Sequence, residues 1–263
     1  RIGLRADRHR MKIATFNINN INKRLANLLD WLKVARPDVV CLQELKVEDH
    51  AFPEDALAQA GYSAVWKGQR SWNGVAILSR GAAPVLTRTS LPGDPSDLQS
   101  RYIEAAISGV LVASIYAPNG NPQPGPKFDY KLAWLDRLRK HATLLRKSGA
   151  PIVLAGDFNV APTDLDIYPT TSWKDDALIQ PESRAAYRRL LGRSWTDAIR
   201  HLHPGERIYT CLSTDIVNHE FGHAVLDGIR PNYIESVHPE TAAAVSPGCS
   251  TARSSRLGHP PLF

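Results

Sequence analysis

Cysteine is scarce in this chain: Cys41, Cys211 and Cys249 are the only three in 263 residues, and none lies in a CxxC pair. So few cannot build a disulfide framework, and the expectation is a reducing, cytoplasmic setting. No apolar run approaches the roughly 20 residues that a membrane-spanning helix needs. The longest, Gly109 to Ala117, is interrupted by Ser114 and Tyr116. No secretory signal pattern and no repeat at solenoid period is found. Charged residues at 22% and apolar residues at 43% also exclude wholesale disorder.

What remains is a chain of the length of one large domain, or of one domain with an appendage. The net charge of +6 is unevenly spread. Residues 1–10 hold four Arg against one Asp, residues 11–210 hold 25 basic against 20 acidic residues, and residues 211–263 hold three against five. The mildly basic middle suits an anionic partner such as nucleic acid. The only Met is Met11, just before the first strand-like run, so residues 1–10 read as a basic leader or as sequence upstream of the true start. The alternative is a disordered basic arm that touches DNA.

From Met11 the pattern alternates strand and helix. Lys12 to Asn17 reads as a strand. Ile21, Leu25, Leu28, Leu29 and Leu32 recur at helical spacing behind Asn20 as N-cap, and Pro37 stops that helix before the strand 39–42. Further short apolar runs lie at 75–78, 103–107, 110–116 and 152–155. A second amphipathic helix carries Phe128, Leu132, Leu135, Leu138, Ala142 and Leu145. Strands 103–107 and 110–116 leave room only for a tight turn, so the pattern implies a mixed sheet covered by helices, an α/β fold. Residues 214–229 read as one capped helix within an unrelated segment 211–245, and 246–263, rich in Ser, Pro and Gly, as disordered tail.

The chemistry concentrates at strand ends. Asn17 follows the first strand, Glu44 the second, Tyr116 closes the strand 110–116, and Asp157 with Asn159 follows 152–155. In α/β sheets, residues just past the strands line a common crevice. Asp and Asn favour turns in any case, yet four strand ends that offer oxygen ligands to one place favour a site. Glu, Asp and Asn oxygens suit a hard cation such as Mg²⁺.

Six boxes carry a resemblance to a known family: Phe16-Asn-Ile-Asn19, Leu42-Gln-Glu-Leu-Lys46, Trp72-Asn-Gly-Val-Ala-Ile-Leu78, Ser114-Ile-Tyr-Ala-Pro-Asn-Gly120, Gly156-Asp-Phe-Asn159 with Ala161-Pro-Thr-Asp-Leu-Asp166, and Trp195-Thr-Asp197. In this order, over residues 11–210, they resemble the exonuclease III family of the endonuclease/exonuclease/phosphatase superfamily. The resemblance implies a four-layer α/β sandwich, two mixed β-sheets flanked by helices, and a divalent-metal phosphodiesterase using Mg²⁺ or Mn²⁺. It also implies double-stranded and abasic-site DNA as partners, exonuclease and abasic-site endonuclease activity in repair, and a monomer. Glu44 is then the direct metal ligand, with Asn17, Asp157 and Asn159 in the metal region. Asp157 orients or deprotonates the attacking water, Asn159 bonds the scissile phosphate, and Tyr116 stabilises charge developing there. Trp72 and Asn73 fall to substrate binding. Asp164 and Asp166 read as turn and cap residues.

Beyond Tyr209-Thr210 the resemblance stops. The family continues with an Arg-Ile-Asp strand and a final Ser-Asp-His strand, and neither occurs in residues 211–263. The expectation is an incomplete nuclease domain, impaired by loss of the final Asp-His pair, or a DNA-binding remnant without catalysis. In their place, His219-Glu-Phe-Gly-His223 resembles the HExxH helix of a zincin metallopeptidase, with His219 and His223 one turn apart as candidate zinc ligands and His238 or Glu240 as a conceivable third. One local motif against six boxes ranks the peptidase reading last.

Overall fold

A computed structural model of the chain describes residues 11–167, 173–192 and 194–208, and the backbone of 223–227. Two mixed sheets lie face to face between helices. The first holds β1 (Ile13–Asn17), β2 (Val39–Gln43), β3 (Tyr62–Lys67) and β4 (Val75–Arg80) in the order β1-β2-β4-β3, with β1 and β2 parallel. The second holds β5 (Val85–Arg88), β6 (Tyr102–Ile107), β7 (Val110–Tyr116), β8 (Ile152–Asp157), β9 (Thr196–Asp197) and β10 (His223–Asp227) in the order β5-β6-β7-β8-β10-β9, with β7 and β8 parallel. Helices α1 (Leu25–Ala35) and α2 (Glu54–Gln59) accompany the first sheet. Helices α3 (Pro126–Arg146) and α4 (Pro181–Leu191) cover the second, and the short α5 spans Ala198–Leu202.

Alternation along the central strands builds the layers. Val39 and Cys41 of β2 face the second sheet, packing with Ile103, Val112 and Val153, whereas Val40 and Leu42 face α1 and its Leu28 and Leu32. On β8, Val153 and Ala155 join the layer between the sheets, while Ile152 and Leu154 meet Trp134 and Leu138 of α3. Strands buried on both faces read as continuous apolar runs, which is why they were visible in the sequence. Cys41 lies in the inner layer, where burial pushes its thiol pKa up to about 12 and keeps it unreactive. Between β6 and β7 the hairpin turns on Ser108 and Gly109, with φ of 48° and 82°. Two positive φ values in a two-residue loop favour Gly at the second position.

Two local expectations change. Asn20 caps a preceding turn, its Oδ1 accepting from Lys23 N at 3.0 Å, and α1 begins later, at Leu25. The helix expected over 214–229 is overturned at its C-terminal half, where His223–Asp227 is a strand. It pairs antiparallel with β8, His223 opposite Gly156 and Asp227 opposite Ile152, and also with β9. A short apolar run such as Ala224-Val-Leu226 has no decisive period, and the backbone groups along the edge of β8 offer pairing that a helix would leave unused. The remainder of the HExxH segment, His219 included, lies outside the described residues, as do 1–10, His238, Glu240 and the tail.

Glu104 on β6 is buried beneath α3, where His141 Nε2 lies 3.0 Å from Oε2, Tyr102 donates to Oε2 at 2.6 Å and Thr87 donates to Oε1 at 2.7 Å. Burial works to raise the Glu104 pKa, but these bonds outweigh it and hold the carboxyl at about 2. A depressed folded pKa gives stability that is present above the unfolded value, near 4.5, and lost as pH falls toward 2. Glu104→Gln is therefore expected to cost on the order of 3 kcal/mol at pH 7, and its deficit should shrink as pH falls below about 4.5. Urea midpoints of both proteins at pH 7 and pH 3.5 check this; an equal deficit at the two values contradicts it.

Candidate active site

The parallel pairs β1/β2 and β7/β8 bring four carboxyl-terminal strand ends to one edge of the sandwich, where Asn17, Glu44, Tyr116 and Asp157 reside. Tyr116 crosses between the sheets: its hydroxyl donates to Glu44 Oε1 at 2.7 Å. From β1, Asn17 Nδ2 reaches Asp157 Oδ2 at 3.4 Å. The other Asp157 oxygen accepts Asn159 N at 2.8 Å, and Asn159 Nδ2 donates to Ala117 O at 2.7 Å. Asn17, Asp157 and Asn159 are buried. Asn17, Glu44, Tyr116, Asp157 and Asn159 therefore meet in one constellation.

Burial, then the negative charges of Glu44 and Asp157, push the Tyr116 pKa far above the ordinary phenol value, with Arg101 opposing them. Tyr116 is consequently a neutral O–H donor throughout the working pH range. Arg101 stacks on its ring, guanidinium carbon 4.8 Å from the centroid.

Eight non-glycine residues among those described have positive φ, and five of them, Asn19, Asn20, Glu44, Lys46 and Asn159, lie on the turns of this corner. Such backbone persists where its surroundings over-determine it, a pattern typical of functional sites. The surroundings are visible in backbone bonds: Asn20 N and Ile21 N donate to the carbonyls of Glu44 and Leu45, and Lys46 N donates to Asn73 O.

Several participants had no role in the sequence reading. Lys46 Nζ lies 2.7 Å from Glu44 Oε2 and 2.6 Å from Asn19 Oδ1. Gln43 sits between the sheets, donating to Thr15 Oγ1 at 3.2 Å and Ser114 Oγ at 3.1 Å, and Ser114 donates to Leu42 O at 3.1 Å. Asn119 Nδ2 contacts Asn159 Oδ1 at 3.4 Å. Their one signal in the sequence is position: each lies within a few places of a strand-end site residue in the same box.

Trp72 stands at the rim, 71% exposed, with Lys46 Nζ 5.2 Å from its ring centroid. Asn73 beside it is buried and bonds Gln69 and Gln99, bracing the loop. Asp164 pairs with Arg184 of α4 at 2.7 Å, and Asp166 Oδ2 accepts Thr163 N within its own turn at 2.9 Å. The register also sets His223 of β10 opposite Gly156, next to Asp157.

The donor chemistry here is all oxygen: the carboxylates of Glu44 and Asp157 and the amide oxygens of Asn17 and Asn19. Among the described residues no group of three or more His, Cys, Asp or Glu forms a cage. A small hard cation that keeps several waters and one or two carboxylates needs none. Lys46 already rests its ammonium between Glu44 and Asn19, so the position accommodates positive charge. The residues fit such an ion.

This geometry has relatives. The profile of the Endonuclease/Exonuclease/phosphatase family matches residues 14–221. The chain belongs to that family. It is 34% identical over 205 residues to the exodeoxyribonuclease III of Haemophilus influenzae, an alignment covering 74% of this chain and 76% of the relative. It is similar to a solved AP endonuclease from Archaeoglobus fulgidus, with TM-score 0.76, 34% identity, and coverage of 82% of this chain and 86% of that one. It is also similar to the 3′ phosphatase NExo from Neisseria bound to product DNA hairpin, with TM-score 0.77, 35% identity, and coverage of 83% and 87%. The family member is thus an exonuclease III-like hydrolase with the two-sheet α/β sandwich of the AP endonucleases. Among the described residues no helix is long and apolar enough to cross a membrane.

Proposed function

We propose that this chain is a Mg²⁺-dependent DNA phosphodiesterase acting at abasic sites and 3′ ends in repair. The observation that carries the reading is the Tyr116–Glu44 bond beside the Asp157–Asn159 turn, which aims an O–H donor, two carboxylates and an amide at one corner. Hydrolysis of a phosphodiester needs an activated water, and donors aimed at oxygens where charge develops. Asp157, on an adjacent strand to Tyr116, orients the water and takes its proton. Asn159's side-chain amide donates to the phosphate, and the Tyr116 hydroxyl does so when its proton turns from Glu44. Glu44, with Asn17, holds the divalent ion, which when bound supplies Lewis-acid stabilisation of the phosphate. Trp72 offers an exposed aromatic face to a base, and Lys46 adds positive charge beside it.

The reading includes impairment. Residues 211–263 contain no Ser-Asp-His, the sequence that would supply the pair positioning the water. Loss of positioned acid–base groups costs roughly 10²–10⁴-fold. The test is incision of an abasic duplex on a gel, with Mg²⁺, with Mn²⁺ and after chelation. Metal-dependent incision at a rate well below that of the Haemophilus relative supports the reading. Retardation without incision at any metal concentration replaces it with a binding remnant, and cutting that survives chelation refutes it.

A further inference from the structure

The buried residues of α3 are apolar except for two, His141, which meets Glu104, and Lys131. The side chain of Lys131 is fully buried. Burial of an ammonium is strongly unfavourable unless its donors are met. They are met here by three main-chain oxygens: Asn159 O at 2.5 Å, Asn119 O at 3.0 Å and Ala177 O at 3.1 Å. The first two belong to the turns that follow β8 and β7, and the third to the segment that precedes α4.

These turns are also joined to each other. Asn119 Nδ2 contacts Asn159 Oδ1, and Ala177 N donates to Asn121 Oδ1 at 2.9 Å. Gly120 has φ of 92°, and a Cβ there would meet Lys131 Cδ at 2.7 Å, so the lysine stem runs directly beneath the turn. Asn159 itself is held at φ 50°, a conformation that outside contacts must maintain.

We propose that Lys131 is a positioning residue: its buried ammonium fastens the turns of Asn119 and Asn159 together and fixes where the Asn159 side-chain amide meets the phosphate. The proposal rests on the reading of Asn159 as a phosphate donor. An ammonium suits the task because three donors on one atom match three acceptors that converge on a point. A planar guanidinium keeps the charge but presents its donors in a fork.

Lys131→Met and Lys131→Arg test this beside the wild type, with thermal unfolding to set the folded fraction of each. Two readouts are taken on folded protein: steady-state incision of an abasic duplex with Mg²⁺, and amide hydrogen exchange along residues 117–121 and 157–161. In Lys131→Met, kcat is expected to fall roughly 10- to 100-fold with KM within about twofold, since small misplacements of a catalytic group have effects of that size. Exchange should accelerate at Asn119 and Asn159 while the interiors of β7 and β8 keep their protection. Lys131→Arg should lie between. A kcat within twofold of wild type, a loss confined to KM, or unchanged exchange at the two turns overturns the proposal. If Lys131→Met does not fold, Lys131→Arg decides by the same readouts. If the wild type cuts no DNA, the functional reading fails, and exchange alone still decides whether Lys131 fastens the turns.

Discussion

Asp157→Asn is expected to lower kcat for incision by at least about 10²-fold while leaving the protein folded. The substitution keeps an oxygen able to accept Asn159 N, the 2.8 Å bond that shapes the turn, and removes the charge and the basicity. General-base effects of this kind run from roughly 10² to 10⁴. The lower end applies because the effects of groups that act as a unit are not additive. Steady-state incision and thermal unfolding of the two proteins check both halves. A variant within a few-fold of wild type in kcat would remove Asp157 from the chemistry.

Gly156→Ala is expected to be the most damaging single change to stability. Gly156 precedes Asp157 with φ of 151°, and a Cβ built on it would lie 2.0 Å from Ile115 O and 2.7 Å from the Ile115 carbonyl carbon. These are backbone atoms of the parallel neighbour β7, so no side chain can move aside and the two strands must part. Strain and overpacking together should cost about 3 kcal/mol or more. For a domain of this size that is a fall in Tm of the order of 10 °C, read by calorimetry. A Tm within about 2 °C of wild type would show that β7 and β8 do not approach as closely as the register demands.

The central strands and the two long helices were legible because their physics is local. β2 and β8 are buried on both faces and therefore continuous in apolar residues, and α3 repeats its core residues at helical spacing. Asn17, Glu44, Tyr116, Asp157 and Asn159 were legible because strand ends gather at one edge of an α/β sheet. Interactions that depend on backbone in rare conformations were not. Lys46 reaches Glu44 and Asn19 only because Glu44 and Lys46 both adopt positive φ, at 55° and 53°. Lys131 lies among apolar residues of α3, and the three carbonyls brought from distant turns explain a charge there. The strand His223–Asp227 was misread as helix, since its pairing with β8 is a long-range contact and its short apolar run fits either period. That correction also weakens the HExxH reading, which needs both histidines on one continuous helix.

The most direct test of a divalent-metal site at Glu44 is the rate of abasic-duplex incision as a function of Mn²⁺ concentration, measured for wild type and Glu44→Gln. Glutamine preserves size and can still accept from Tyr116, but it removes the charge proposed to hold the ion. The account predicts that half-saturation moves at least tenfold higher in the variant, with a lower plateau. Superimposable curves, or incision that needs no metal in either protein, would contradict it.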